Sequence, residues 1–398
     1  MSETLVEPGA PQAGRHWMAA VLGATTTTVV CVVPGFLVGG LAVQIADELH
    51  FDPAGLGLAV SVCFGVSALS SVPAGALVER FGVKRTAMAA ISISATGLFA
   101  IALFARTLAA LVAFLAIAGT ANALGQLASN AAVANRVPPG RQGLSFGIKQ
   151  SAIPLSTLLA GISVPLIALN LGWRWAFALA AGLALVALLL VPPDERAGKR
   201  PAAAREGRPT AALVVIGVAA TLAAGGANAL GAFLVDAAVA GGLAPGPAGL
   251  ALSAGGAINL TVRLVSGWFA DRRTGGHIAV VAGSLVLGAV GLALLTQPGL
   301  AALAIGVALG FGLGWSWPGL LNYSVVRLHP QAPAAATSIT QTGIYTGACL
   351  GPLLFGAVAA TRGYPVAWLT ASIAMLLAAA GMLVARATLI RRSRANGG

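Results

Sequence analysis

Twelve apolar runs, each about as long as a membrane-spanning helix, follow one another along this chain and leave little choice of fold. They cover residues 17–42, 55–78, 86–104, 108–133, 144–169, 173–191, 211–235, 248–270, 278–296, 300–326, 336–360 and 366–387. A helix of roughly 20 apolar residues crosses the hydrocarbon core and satisfies its own backbone hydrogen bonds there. Composition agrees. Hydrophobic residues make up 58% of the 398 and charged residues 9%, against about 25% charged in soluble domains. Such a chain cannot cover a water-facing surface, which excludes a soluble enzyme, a disordered protein and a disulfide scaffold. The expected class is an all-α membrane protein with twelve transmembrane helices.

Charge sets the orientation. With both termini cytoplasmic, 18 of the 23 basic residues fall on the inner side and only Arg106, Arg174 and Arg362 on the outer. That asymmetry is the positive-inside pattern. Asp47, Glu48 and Asp52 gather in the first outer loop, and Asp236 ends the seventh run at the outer interface. The net charge of +12 is spread through short gaps between apolar runs, so it forms no nucleic-acid patch. The first run is too long for a signal-peptide core, which predicts an uncleaved N-terminus.

One long polar segment divides the chain. The expected organisation is an N-terminal tail (1–16), a six-helix bundle (17–191), a cytoplasmic linker (192–210), a second six-helix bundle (211–387) and a tail (388–398). The halves repeat. At an offset of 192, Gly75, Glu79, Arg80 and Asn130 meet Gly267, Asp271, Arg272 and Asn322; at 191, Gln150 meets Gln341. Parallel repeats of this kind place a binding site near the midplane between the halves.

The loop Gly75-x3-Glu79-Arg80-x-Gly82-x-Lys84-Arg85, with its echo Gly267-x3-Asp271-Arg272, resembles the signature loop of the major facilitator superfamily. Glu79 stands where that signature has Asp. The resemblance spans the whole chain and implies two pseudo-symmetric six-helix bundles working by alternating access. It also implies that these loop residues latch the cytoplasmic side.

Two cations lie inside apolar runs. Lys149 follows Arg141 by eight residues and Arg263 precedes Asp271 by eight, each about 12 Å deep at 1.5 Å per residue. No intramembrane acid accompanies them, so they favour an anionic substrate, and a guanidinium fits a carboxylate bidentately. Asn259 and Arg263 share a helix face at i,i+4. The run Asn259-x3-Arg263-x3-Gly267-x3-Asp271-Arg272 resembles the eighth span of monocarboxylate porters and oxalate–formate antiporters, in which the arginine binds substrate carboxylate. Those porters couple protons through an Asp where this chain has Asn259. Gln150, Gln341, Tyr345, Asn130 and Asn322 are further candidates to line the cavity, with Trp315 and Trp317 shaping it. Trp17, Trp173, Trp175 and Trp368 are expected as interfacial anchors.

These residues predict a secondary transporter for a small organic anion; efflux of amphipathic drugs is the alternative. A monomer in a bacterial plasma membrane is expected. No metal or cofactor is called for: Cys31, Cys63 and Cys349 sit singly in apolar runs, and the four histidines lie in loops or tails. The match Gly143-x-Ser145-x-Gly147 lacks the strand–turn–helix setting of a nucleophile elbow, so no enzyme is expected.

Overall fold

A computed structural model describes residues 10–138, 141–191, 211–272, 276–328 and 333–395. The predicted linker 192–210 lies outside the described residues. Twelve helices are long and apolar enough to cross a membrane, at the places the apolar runs predict. They are assembled from sixteen α-helical pieces. The first bundle holds α1 (Ala10–Gly40), the short α2 (Ala42–Leu49), α3 (Pro53–Phe81), α4 (Val83–Phe104), α5 (Leu108–Arg136), α6 (Gln142–Gln150), α7 (Ala152–Ser163), α8 (Leu169–Leu171) and α9 (Trp173–Ala187). The second holds α10 (Ala211–Ala240), α11 (Pro245–Arg272), α12 (His277–Leu294), α13 (Leu300–Leu309), α14 (Pro318–Leu328), α15 (Pro333–Arg362) and α16 (Tyr364–Ala395).

The ends of these helices follow local chemistry. Asp52 caps α3, accepting from the Gly55 N–H at 2.9 Å, with Pro53 at the first helical position. Thr107 caps α5 through the Ala110 N–H. Gly82 joins α3 to α4 at φ 85°, a conformation that favours glycine. Spans five and ten are not the continuous helices their apolar runs suggest. Span five breaks between α6 and α7 and again at a π-turn (Val164–Ala168); span ten widens into a π-turn (Gly310–Gly314) between α13 and α14.

Small residues set how the helices meet. In the second bundle, Gly343, Gly347 and Gly351 of α15 lie against Gly217, Thr221 and Gly225 of α10. Lipid offers no hydrophobic drive for helix pairing, so close backbone approach and dispersion must hold it. The same device joins the bundles at one end only. Gly57 of α3 abuts Pro352 and Gly356 of α15, Gly161 of α7 abuts Gly249 and Ser253 of α11, and a Cβ on Gly39 of α1 would stand 2.7 Å from Ala232 Cα of α10. Ser253 Oγ also donates to the Leu158 carbonyl at 2.9 Å.

Towards the other end the partners separate. Beyond Gly65 on α3, Leu69 and Val72 are 81% and 83% exposed, and added Cβ atoms at Gly75 and Gly147 would meet nothing within 4 Å. The molecule is therefore closed at the end carrying α2 and open at the end carrying the Gly82 turn.

Two of the four predicted tryptophan anchors are core residues instead. Trp173 and Trp368 are buried, because Trp173 Nε1 donates to Glu48 at 2.7 Å and Trp368 stacks on Phe355 with ring centres 4.5 Å apart. Trp175 is exposed, and Trp17 is half-buried beneath the Arg141 guanidinium.

Candidate functional site

The centre of the molecule is built on helix breaks. Pro154 has no N–H, so the carbonyl four residues earlier, that of Gln150, has no helical donor. Across the bundle interface, the π-turn of span ten displaces the backbone of Phe311 and Trp315 from a regular helical ladder. Helix α11 meets both breaks. Asn259 Nδ2 donates to the Phe311 carbonyl at 2.7 Å, and one turn later Arg263 Nη2 donates to the Trp315 carbonyl at 3.0 Å. Arg263 Nη1 donates to the Gln150 carbonyl at 3.2 Å. One guanidinium thus bridges the two bundles.

The Gln150–Arg263 bond lies at the inner limit of the α7–α11 contact. The seam descends from Gly161 against Gly249, through Leu158 and Pro154 against Gly256, to this bond. Beyond it Gly147 faces open space.

Lys149, one residue before Gln150, is 1% exposed. Its ammonium donates to Gln126 Oε1 of α5. Among the described residues neither cation has an ion pair with an acid; the Arg174–Glu48 pair lies at the closed end. Carbonyl and amide oxygens therefore hold both positive charges without neutralising them. Three buried polar atoms around α11 and span ten make no hydrogen bond, namely Asn259 Oδ1, Arg263 Nε and Trp317 Nε1.

An aromatic file runs across the closed end above this centre. Ring centres separate Phe64 from Phe36 by 6.0 Å, Phe36 from Trp315 by 5.8 Å, and Trp315 from Phe311 by 5.5 Å. Phe36 belongs to the first bundle and Trp315 to the second, so the file plugs the space between them. Trp317 is buried in the core rather than lining an opening.

The predicted site residues divide. Lys149, Gln150, Arg263 and Asn259 come together around the two breaks, but Gln150 contributes its backbone carbonyl, a role its side chain does not announce. Asn322 is set apart in the second bundle, where Thr340 Oγ1 approaches its Oδ1 at 3.4 Å. That link joins spans ten and eleven where Lys149 and Gln126 join spans five and four, so the repeat survives in the bonding. Asn130, Gln341 and Tyr345 are half-buried. Gln126, an uncharged polar residue of an apolar run and so a cavity candidate by sequence, is placed as the acceptor that holds Lys149.

Of the gating-loop residues, Glu79, Arg80 and Arg85 are exposed at the open end, and Arg80 lies 5.3 Å from the Phe81 ring. Lys84 is half-buried, and Gly75 and Gly82 are placed as described above. The backbone of Gly267, Asp271 and Arg272 belongs to α11, while the side chains of these three lie outside the described residues.

Comparison with known proteins adds three findings. Residues 24–216 match the family model described as Major Facilitator Superfamily. Over 373 residues the chain is 28% identical to a chloramphenicol resistance protein of Streptomyces lividans, covering 89% of this chain and 91% of that protein. Over 197 residues it is 27% identical to the tetracenomycin C resistance and export protein of Streptomyces glaucescens, covering 49% of this chain but only 36% of that longer protein. Among solved structures, a bacterial homologue of the human lysosomal transporter Spinster, crystallised inward-facing and occupied, superposes with a TM-score of 0.73 at 15% identity. That match covers 97% of this chain and 98% of the other.

Proposed function

We propose, from the premise that a chain with the major facilitator fold is a membrane transporter of a small molecule, that this one carries a small amphipathic organic anion by alternating access. One observation carries the reading. Lys149 and Arg263 lie between or beside the bundles bonded only to neutral oxygens, so the site holds two positive charges and no counter-ion among the described residues. An uncompensated buried charge is costly, and a substrate bringing the opposite charge offsets that cost. Arg263 and Lys149 would bind the carboxylate, with Asn259 and Gln126 orienting it. The apolar remainder would rest against the aromatic file. Asn130, Asn322, Gln341 and Tyr345 would complete the wall.

Positive charge on the loops argues for cytoplasmic termini, so the open end faces the cytoplasm and the state is inward-facing. The signature residues Gly75, Glu79, Arg80, Gly82, Lys84 and Arg85, with Gly267, Asp271 and Arg272, would close that side in the alternate state. The setting is a bacterial plasma membrane and the working unit a monomer.

A second reading has its own support. Both Streptomyces relatives are named for antibiotic resistance, which favours export of an uncharged or cationic amphipathic compound. A thermal-shift screen of the purified protein separates the two, because a ligand that binds only the folded state stabilises it by mass action. Stabilisation by organic acids, lost in Lys149→Gln and Arg263→Gln, supports the anion reading. Stabilisation by neutral or cationic compounds that survives both substitutions sinks it in favour of drug efflux.

A further inference from the structure

A second polar site lies inside the first bundle, at the open end. Helices α1, α4 and α5 pack on one another there, and between them is a cavity of 10 Å³. Thr27, Lys84, Ala87, Ser129, Arg136 and Val191 are among its lining residues. Ser129 is 2% exposed, and its hydroxyl makes no hydrogen bond among the described residues. A serine within a helix can donate to the carbonyl four residues back, as Ser71, Ser156 and Ser324 do in this chain. The Thr27 hydroxyl is likewise committed, donating to the Gly23 carbonyl at 2.7 Å. Ser129 therefore keeps a buried donor free beside the cavity, a costly arrangement unless something there accepts from it.

Charge selects what that occupant is. Lys84 stands in the first turn of α4 and Arg136 in the last turn of α5. Both cations have further contacts, and both still border the cavity. No acid is among the described residues that line it. The first turn of α4 carries no side-chain cap, so the positive end of its dipole adds to the potential. Arg136 offsets the carbonyl end of α5. Size narrows the choice further. A volume of 10 Å³ takes about one water-sized particle, which admits a monatomic anion and excludes sulfate, phosphate or a carboxylate.

We propose that this cavity binds a single halide ion, chloride in an ordinary buffer, which accepts from the Ser129 hydroxyl under the charge of Lys84 and Arg136. The ion ties the start of α4, just beyond the Gly82 turn, to α5 and α1. It thereby holds the signature loop from inside the first bundle. The site differs from the Lys149–Arg263 centre in position, in partners and in the size of anion it takes. It stands or falls independently of the transported substrate.

Melting of the full chain in lipid nanodiscs, with sodium gluconate replaced stepwise by sodium chloride at constant ionic strength, tests this. A ligand that binds only the folded state stabilises it by mass action, so chloride should give a saturable rise in melting temperature. Ser129→Ala, which removes one oxygen, abolishes the rise, and Lys84→Gln weakens the halide affinity several-fold. Lys149→Gln and Arg263→Gln keep the rise. A wild type that melts alike in both salts holds at most a water in this cavity, and the proposal fails. It fails equally if the rise survives Ser129→Ala. Loss of the rise in Arg263→Gln would place the halide at the central cations instead, and the same curve in sulfate would mark a general salt effect. Either result overturns the site.

Discussion

Arg263 and Trp315 face each other across 3.0 Å, the guanidinium donating to the tryptophan carbonyl. Because the Trp315 ring packs on Phe36 of the other bundle, this bond ties the half-buried cation to the plug that closes one end. An anion drawn onto Arg263 competes with the Trp315 and Gln150 carbonyls, and relaxing either changes how the bundles meet. Arg263→Gln should therefore do more than weaken binding. Losing a buried, hydrogen-bonded charge partner costs about 2 kcal/mol or more, roughly 30-fold in affinity. Arg263→Lys, with one donor group in place of a fork, should recover only part. Ligand titration by thermal shift checks the order wild type, Lys, Gln.

Lys149 and Gln126 should respond oppositely in the empty protein. Replacing Lys149 by Met removes a buried charge and is expected to be neutral or stabilising, as buried ions often are when exchanged for apolar groups. Gln126→Leu leaves the ammonium without its oxygen and should cost about 1–3 kcal/mol. Melting temperatures of the two variants give the test, and equal destabilisation would contradict it.

Gly39 holds α1 against α10 at the closed end. A methyl there would stand 2.7 Å from Ala232 Cα, a backbone atom that cannot step aside. Gly39→Ala should push the closed end apart while leaving each bundle intact. Cys349, half-buried against Gly65, is the reporter. Its labelling by a membrane-impermeant maleimide should rise several-fold, and unchanged labelling would mean the seam does not depend on α1.

Glu48 gives an acid-sensitive contact at the closed end. The Arg174 hydrogen bond holds its carboxyl below the ordinary value; burial opposes it, and the Trp173 N–H with the Arg174 and Arg106 charges adds to the lowering. A carboxylate depressed by folding adds stability above its unfolded pKa, near 4.3 for Glu, and loses it as pH falls through the folded value. The pair is partly exposed, so its worth is within about 1 kcal/mol. Wild type should melt above Glu48→Gln at about pH 7, and the two should converge at about pH 3.

Much of the fold was legible because its signals are local. Each apolar run crosses or fails to cross a bilayer on its own length, so twelve spans could be counted from composition along the chain. The offset between Asn130 and Asn322 announced two halves, and the loop at Gly75 to Arg85 announced the family of folds. The interfacial reading of Trp173 and Trp368 missed because an indole suits a wet boundary and a dry core equally; Glu48 and Phe355, the partners that decided the matter, are far away in sequence.

The site was half legible for the same reason. Two cations in apolar runs, Lys149 and Arg263, can be picked out one residue at a time, since the cost of burying a charge belongs to the residue. Pro154 likewise reveals that the Gln150 carbonyl lacks a donor. That Arg263, 113 positions on, supplies it depends on how α11 packs against α7, a geometry of glycine contacts that no linear pattern encodes. Span number and the cations within apolar runs are thus set by local transfer energies. Which end closes, and which oxygens those cations hold, follow from non-local packing between bundles.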